Sequence, residues 1–196
     1  MLAYQKLTPE HVADIYRAHM QYDFPPAEVK PLEVLQNLMK QGRYECYGWF
    51  EESGDLVAYT FFTSAPQGKV MLLDYFAVCS FYRSHGYGSV ILTLLPDLFR
   101  GRAGILAEVE DPLKSSSEAE ESIRSRRVGF YQRNGLRPTT VYSVLFEVPY
   151  VLHYLPVAED CADAALRSEL DAIYHTLFPQ PVYDENVQLW LTESEA

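Results

Sequence analysis

The sequence predicts an α+β fold in which one mixed sheet is flanked by helices, and three observations support this prediction. Apolar residues repeat at helical spacing near the start of the chain, in TPEHVADIYRAHM and LEVLQNLMKQG. Segments rich in aromatic and β-branched residues follow, YECYGWFEE, DLVAYTFFTS and KVMLLDYFAV, and they predict an antiparallel meander. Predicted strands and helices then alternate towards the C-terminus.

The first elements carry clear boundary signals. LAYQKL is predicted as a short strand, and the first helix begins with Thr8 as its cap and Pro9 at its first helical position. The second helix ends near Gly42, a residue type that suits the left-handed conformation at a helix C-terminus.

The middle of the chain predicts two further helices around one strand. A helix follows the glycine loop at residues 83–88, and Pro96 is expected to kink it or end its regular part early. GILAEVE is predicted as a strand. Ser117 and Glu120 then form the pattern of a capping box, for a helix that runs to Asn134 and Gly135.

The last third predicts strands around a helix. TTVYSVLFEVPYVLHYL is too long for one strand, so Pro149 is expected to divide it into two paired strands. CADAALRSELDAIYHTLF predicts a helix and VQLWL a short final strand. We find neither repeats nor low-complexity linkers, so residues 1–196 are predicted to form one domain.

The charge of the chain is uneven. The formal net charge of −11 argues against nucleic acid as a partner, because nucleic-acid-binding domains present a basic face. Residues 83–137 nevertheless hold nine of the 16 lysines and arginines against seven acidic residues, whereas the rest of the chain has a net charge of −13. The basic residues therefore surround one short segment.

The cysteines and the N-terminus favour a cytoplasmic protein. Cys46, Cys79 and Cys161 are scattered and lack CxxC spacing, which is typical of a reduced chain without a disulfide framework or a zinc site, and no metal is expected. Charged residues interrupt the N-terminal segment where a signal peptide would be apolar, and no run reaches membrane-spanning length. No membrane partner is expected.

The basic region contains FYRSHGYGSVIL, residues 81–92, in which a glycine loop opens a helix. The first N–H groups of a helix lack internal partners and carry partial positive charge, so they favour an anion. The loop lacks the third small residue of a dinucleotide-binding fingerprint, and the chain has no Gly-Lys-Ser/Thr triplet of a nucleoside triphosphate loop. Another phosphate-bearing ligand is therefore expected.

Two motifs resemble those of the GCN5-related N-acetyltransferase (GNAT) superfamily. The first is R-x-x-G-x-G at residues 83–88 after a strand, and the second is FYQRNGL at residues 130–136. The resemblance covers roughly residues 55–146 and implies a mostly antiparallel central sheet whose fourth and fifth strands splay apart. It also implies acetyl-CoA as the cosubstrate, with its pantetheine arm paired to the backbone of the fourth strand.

The resemblance implies a coenzyme A site in and before the glycine loop. Close approach of phosphates needs glycines and clustered N–H donors, which this loop supplies. A glycine-rich turn without a ligand is the alternative. The expected contacts are Phe76, Ala77 and Val78 on the strand and Arg83, Ser84, His85, Gly86, Tyr87, Gly88 and Ser89 in the loop.

The resemblance also implies a proton donor and leaves the base open. Tyr131 matches the family tyrosine that protonates the departing thiolate, although a helix-end aromatic packed on the sheet is the alternative. The position that supplies the base in some family members is Leu72, which cannot take a proton. Asp74 is the first candidate and Glu108 the second, and either could instead be a paired structural carboxylate.

The resulting hypothesis is an acetyl-CoA-dependent N-acetyltransferase. An acetyl group would pass to a primary amine of a small molecule, a polyamine, an antibiotic-like compound or a protein, by direct attack in a ternary complex. The acidic remainder of the chain favours a cationic acceptor. The alternatives are a non-catalytic domain that binds or senses acyl-CoA, and a purely structural interaction protein. The oligomeric state is left open, a homodimer included.

Overall fold

The computed structural model describes residues 2–26 and 28–193. Its strands are β1 (Ala3–Lys6), β2 (Tyr44–Phe50), β3 (Leu56–Thr63), β4 (Val70–Val78), β5 (Gly104–Glu110), β6 (Arg137–Leu145), β7 (Val148–Pro156) and β8 (Val187–Leu191). They form one sheet in the order β1-β2-β3-β4-β5-β7-β6-β8. The predicted α+β class with a mixed, mostly antiparallel sheet is confirmed, and β4 and β5 are neighbours in this order.

The helices follow the predicted sequence of elements. They are α1 (Pro9–Ile15), a π-helical turn (Tyr16–Met20), α2 (Gln21–Asp23), α3 (Leu32–Lys40), α4 (Tyr87–Leu98), α5 (Glu118–Arg133), α6 (Asp163–Leu177) and α7 (Gln180–Asn186). Short 3₁₀ turns lie at Ser80–Tyr82 and Pro112–Lys114. The sequence analysis did not predict α7 as an element of its own.

The chain divides into two compact units. The first unit comprises residues up to Thr63 together with Leu73–Ile91, and the second comprises Ser64–Leu72 and the residues from Leu92 onwards. The assignment of residues 1–196 to one domain stays a prediction.

In the first unit, β1, β2 and β3 pair antiparallel; β2 and β3 are the first two strands of the predicted meander, and β4, its third strand, follows β3 in the sheet order. Lys6 pairs with Tyr47, and Tyr44 pairs with Thr63. Thr8 caps α1 as predicted, because its hydroxyl accepts a hydrogen bond from the N–H of His11 at 3.4 Å while the His11 ring accepts from the N–H of Thr8. The first helix is shorter than predicted, since a π-helical turn takes over after Ile15.

In the second unit, β5, β7, β6 and β8 pair antiparallel in that order. Leu106, Leu152 and Tyr154 turn to one face of this part of the sheet. α6 covers that face with Leu166, Leu170, Ile173 and Tyr174, all fully buried. Because side chains alternate along a strand, His153 points to the opposite face from Leu152 and Tyr154.

The long strand segment is divided where the chain turns, not at Pro149. A two-residue turn at Phe146 and Glu147, both with positive φ (49° and 66°), joins β6 to β7. Such a turn has the twist that a tight hairpin needs. Pro149 lies inside β7 opposite Val144, one residue beyond Tyr150, which is the last β7 residue paired with β5.

Two other boundary predictions need correction. Pro96 does not end α4, which continues to Leu98, and a kink at Pro96 stays a prediction. The Ser117 side chain caps α5 through the N–H of Glu120 at 3.3 Å, but the box is not reciprocal. The Glu120 carboxylate instead accepts from the N–H and the hydroxyl of Ser116, both at 2.7 Å.

Candidate functional site

The loop between β4 and α4 is held open by left-handed residues. Its start is anchored by a hydrogen bond from the N–H of Cys79 to the carbonyl of Val57 at 2.8 Å. After the 3₁₀ turn, Ser84 (φ 65°) and Gly86 (φ 83°) adopt positive φ. A Cβ built on Gly86 would meet no atom within 4 Å, so this side of the loop is open space.

The N-terminus of α4 presents backbone donors at this loop. The N–H groups of Ser89 and Val90 both donate to the carbonyl of Gly86, at 3.0 and 3.2 Å. Tyr87 and Gly88 precede these first helical bonds, so their N–H groups are those that a helix leaves for a cap or a ligand. Such donors favour an anion, and binding of the coenzyme A diphosphate at this loop stays a prediction.

The side chains of the loop are braced against the protein. The Arg83 guanidinium donates to the Val78 carbonyl at 3.0 Å and to the Asp23 carboxylate at 2.5 Å. Asp23 is nearly buried and also accepts from the Tyr59 hydroxyl at 2.8 Å. Arg83 therefore fixes the loop to the end of α2, and half of its side chain remains exposed. Its contact with a phosphate stays a prediction.

His85 and Tyr87 also make contacts within the first unit. Nδ1 of His85 lies 2.8 Å from the carbonyl oxygen of Arg83. The Tyr87 hydroxyl donates to the Glu51 carboxylate, and this hydrogen bond raises the pKa of the Tyr87 phenol. Both side chains thus contact other parts of the first unit, and their contacts with a phosphate stay predictions.

The strand before the loop has the expected alternation. Ala77 is buried, whereas Phe76 and Val78 are partly exposed. Asp74 shares the face of Phe76 by the period of two. Whether Phe76, Ala77 and Val78 pair with a pantetheine arm stays a prediction.

Asp74 is engaged in a nearly buried ion pair. Both of its oxygens lie 2.8 Å from Nζ of Lys30, and the Tyr44 hydroxyl donates to Oδ2. Burial, followed by the charge of Asp74, raises the pKa of Tyr44 well above its usual value. The segment that carries Lys30 is fixed by Tyr75, whose hydroxyl accepts from the N–H of Lys30 at 2.9 Å. The sequence analysis missed Lys30 and Tyr44, which lie 44 and 30 residues from Asp74.

Tyr131 lies in the last turn of α5, in the second unit. Its ring packs against Phe130, with centroids 5.3 Å apart, and lies 6.5 Å from the ring of His153. Burial raises the pKa of Tyr131 to about 12, although the nearby charge of Arg127 opposes this shift. Tyr131 therefore keeps its proton at neutral pH.

Glu108 belongs to the α6-facing side of the second unit. Its Oε1 accepts a hydrogen bond from the Tyr174 hydroxyl and lies 3.4 Å from the Ser143 hydroxyl. Its register partner in β7 is Leu152, whereas Ala107 pairs with His153. Glu108 thus lies on the opposite face of the sheet from Ala107 and its partner His153. His153 is the residue whose ring lies beside that of Tyr131.

Of the three arginines in the middle of α5, Arg126 and Arg127 are exposed, whereas Arg124 is buried. Arg124 is 7% exposed and donates to the Asp111 carbonyl at 3.0 Å and to the Glu120 carboxylate at 2.6 Å. Arg127 pairs with Glu110 at 2.7 Å. These two arginines tie α5 to the end of β5. The burial of Arg124 was not predictable from the sequence, because it depends on the hydrogen bonds to Asp111 and Glu120 that the fold provides.

Comparison with known proteins agrees with this geometry. The model of the acetyltransferase (GNAT) family matches residues 12–135. The chain belongs to the GNAT family. The matched range contains the glycine loop, Asp74, Glu108 and Tyr131, whereas Ser143, His153 and Tyr174 lie beyond it. No curated protein matches the sequence.

Solved GNAT structures share the fold at low identity. A Bacteroides thetaiotaomicron structure assigned to the GNAT family covers 89% of this chain and 95% of its own, with 21% identity and a TM-score of 0.67. The Escherichia coli ribosomal-protein-S18-alanine N-acetyltransferase covers 82% of this chain and 97% of its own, with 16% identity and a TM-score of 0.57. Vibrio cholerae spermidine N-acetyltransferase in complex with CoA and spermine covers 81% of this chain and 96% of its own, with 8% identity and a TM-score of 0.60. At these identities the likeness shows the fold alone.

The described residues show neither a metal-ion site nor a membrane-spanning helix. Residues 2–26 and 28–193 contain no group of three or more histidine, cysteine or acidic side chains placed to hold a metal ion. In the same part of the chain, no helix is long and apolar enough to cross a membrane. The three cysteines are free, and Cys46 and Cys79 are buried.

His153 is a buried polar residue of this GNAT chain that the sequence analysis missed. It is 2% exposed, and neither ring nitrogen has a hydrogen-bond partner among the described residues. Burial lowers its pKa, and the backbone of Val151 offsets part of the effect. A histidine within the apolar run YVLHYL was the sequence signal for a buried polar residue.

The lowered pKa of His153 predicts acid-sensitive stability. The unfolded chain binds this proton near pH 6.5 and the folded chain only at lower pH, so stability is lost as the pH falls below that value. In His153→Leu, we expect the loss of unfolding free energy between pH 8 and pH 5, measured by urea denaturation, to be smaller than in the wild type. Tyr154→Phe, which changes a buried ring without removing an imidazole, should retain the wild-type loss. Equal losses in all three proteins would contradict the prediction.

Proposed function

We propose that this GNAT chain transfers the acetyl group of acetyl-CoA to a primary amine, by direct attack in a ternary complex. The observation that supports this most is the loop at Ser84–Gly86, whose left-handed residues lead into the first turn of α4, where the N–H groups of Tyr87 and Gly88 precede the first helical hydrogen bonds. Membership of an acetyltransferase family gives the loop its proposed ligand. Phe76, Ala77 and Val78 would receive the pantetheine arm, and residues Arg83 to Ser89 the phosphates.

The proposed reaction needs proton transfers at the amine and at the thiolate. The ammonium group of the acceptor first loses one proton, and the neutral amine nitrogen then forms a bond to the acetyl carbon as the carbon–sulfur bond breaks. The nitrogen loses a second proton as the amide forms, and this proton replaces the one that the acid gives to the thiolate. Tyr131 would give its proton to the departing thiolate, and its high pKa keeps that proton available at neutral pH. A carboxylate would take the proton of the amine. Bound coenzyme A would supply the activated acetyl group.

Of the two candidate bases, Glu108 is better supported than Asp74. Both oxygens of Asp74 are bonded to the Lys30 ammonium, and the side chain is only 10% exposed. Both oxygens of this carboxylate therefore already contact a cation, and the ammonium of an acceptor would have to displace Lys30 to reach them. Glu108 is partly exposed, and its described hydrogen bonds come from neutral hydroxyl groups on one oxygen.

A pair of substitutions separates these two carboxylates. Asp74→Asn should lower the unfolding free energy by about 1.5–3 kcal/mol, because the nearly buried Lys30 ammonium loses its charged partner. Glu108→Gln keeps an acceptor oxygen for Tyr174 and should lower kcat about 100-fold or more with a smaller change in stability. Urea denaturation and steady-state kinetics measure the two effects. Full activity in Glu108→Gln together with an inactive, stable Asp74→Asn would assign the base to Asp74.

We propose a cationic acceptor. The residues outside 83–137 carry a net charge of −13, which attracts cations. The Vibrio cholerae spermidine N-acetyltransferase is in complex with spermine, a polycation, so polyamines belong in the first screen. We also propose that the protein acts in the cytoplasm, in keeping with its three free cysteines.

The test is thiol release from acetyl-CoA in the presence of polyamines, aminoglycosides, amino-acid amides and peptides with free amines. We expect at least one cationic amine to stimulate release and to gain one acetyl group by mass spectrometry. Coenzyme A binding without stimulated release across the panel would indicate the non-catalytic acyl-CoA-binding alternative. A calorimetric titration without coenzyme A binding would leave only a structural interaction protein.

A further inference from the structure

A buried hydroxyl pair lies beside Glu108 in the second unit. The Tyr174 hydroxyl donates to Oε1 of Glu108, and the Ser143 hydroxyl lies 3.4 Å from the same oxygen. The two hydroxyl groups are 3.1 Å apart. Both residues are fully buried. One carboxylate oxygen is therefore fixed by two neutral donors from different elements.

The surrounding elements hold this pair rigidly. Tyr174 lies on α6, whose apolar residues Leu166, Leu170 and Ile173 are fully buried against the sheet. Ser143 lies on β6 opposite Tyr150 of β7, and Glu108 lies on β5 opposite Leu152. Glu108 and Ser143 thus lie on the sheet face that α6 covers, and Tyr174 reaches them from α6.

We propose that Tyr174 and Ser143 are positioning residues that hold Glu108 ionised and fixed in one rotamer, and so set the lower end of the pH range in which it accepts the proton of the amine. This inference rests on the proposed function with Glu108 as the base. It adds two residues beyond the family-matched range 12–135, contributed by β6 and α6.

The physical reason is that hydrogen bonds to a carboxylate favour its charged form. A buried phenol gains a strong, charge-assisted bond when its partner is an anion. Consistent with this, burial and the charge of Glu108 raise the pKa of Tyr174 well above its usual value, so the phenol remains a donor. A base held by such donors stays deprotonated to lower pH.

Other charged groups near this face have partners of their own. Tyr150 on β7 is a second phenol whose charge would also affect Tyr174. Glu110, two residues further along β5, pairs with Arg124 and Arg127 at 3.3 and 2.7 Å. On α6, Arg167 donates to the Leu189 carbonyl, and Glu169 accepts from the N–H groups of Lys69 and Val70. Tyr174 and Ser143 each place a hydroxyl within hydrogen-bonding distance of Glu108, so substituting them changes its surroundings directly.

The experiment compares Tyr174→Phe and Ser143→Ala with the wild type by two readouts. The first is the pH profile of kcat/KM for the best amine, and the second is a carbon-13 NMR titration of the Glu108 carboxyl carbon, assigned with Glu108→Gln. In Tyr174→Phe, both the acidic limb of the profile and the NMR midpoint should move up by about one pH unit. Ser143→Ala should move both by less, because its hydroxyl is farther from the carboxylate.

Tyr154→Phe is the matched control. Tyr154 is also fully buried in the cluster under α6, but its hydroxyl donates to the Glu159 carbonyl at 2.7 Å. It should leave both readouts unchanged.

The outcomes separate this inference from the proposed function. A folded Tyr174→Phe protein with the wild-type NMR midpoint, or with a moved midpoint and an unmoved acidic limb, would overturn the inference and leave the acetyl transfer standing. If no amine stimulates thiol release by the wild type, the proposed function fails. The positioning of a base for it then falls too, whatever the NMR titration gives.

Discussion

Gly86→Asp should weaken the binding of coenzyme A by about 30-fold or more. Gly86 has a φ of 83° and open space where its side chain would begin, and aspartate tolerates this backbone better than most residues. The substitution therefore places a negative charge at the start of α4 with little strain. A diphosphate bound there would meet a like charge, and a 30-fold loss corresponds to about 2 kcal/mol.

Isothermal titration calorimetry with coenzyme A measures this effect. Gly42→Asp is the matched control, because Gly42 also has a positive φ of 68° and no atom within 4 Å of a built Cβ, but follows α3. Both variants should lose similar small amounts of unfolding free energy, and only Gly86→Asp should lose affinity. Equal affinities would remove the loop from the binding site.

Tyr131→Phe should lower kcat by about 100-fold or more and leave the affinity for coenzyme A within about threefold. The reason is that phenylalanine retains the packing against Phe130 and removes only the proton donor. With a pKa of about 12, the wild-type phenol remains protonated between pH 7 and pH 9, so Tyr131 should cause no alkaline decline of kcat in that range.

Steady-state kinetics with a saturating amine, together with calorimetry, measure these quantities. Tyr183→Phe is the control, since burial and a hydrogen bond to Asp171 also raise the pKa of Tyr183 to about 12, but the residue lies on α7. It should retain wild-type kcat. A Tyr131→Phe protein with wild-type kcat would reduce Tyr131 to the packed aromatic residue that was its alternative role.

Local patterns predicted what depends on neighbouring residues. The meander, the cap at Thr8, the strand β5 and the glycine loop follow from periodicity, turn residues and backbone freedom. These features need only a few consecutive residues, so one sequence suffices for them. The hairpin was placed correctly as two paired strands, but its turn was missed because Phe146 and Glu147 are not typical left-handed residues.

Contacts between distant residues could not be predicted in this way. Arg83 meets Asp23 across 60 residues, and Glu108 meets Tyr174 across 66. No periodicity links such positions, and the choice of partner depends on how helices pack on the sheet. For the same reason, alternation placed Asp74 on the same strand face as Phe76, and both are partly exposed, but it could not reveal the pairing of Asp74 with Lys30.

The turn at Phe146 and Glu147 has a consequence for how this chain tolerates length changes. Two residues leave no slack between β6 and β7, so inserting or deleting one residue there would shift the pairing by one position. His153 would then face α6, and Tyr154 would face the side of Tyr131. Ser143 would also lose its place opposite Tyr150. The length of this one turn therefore fixes the pairing that places His153 beside Tyr131, the proposed acid, and Ser143 beside Glu108, the proposed base.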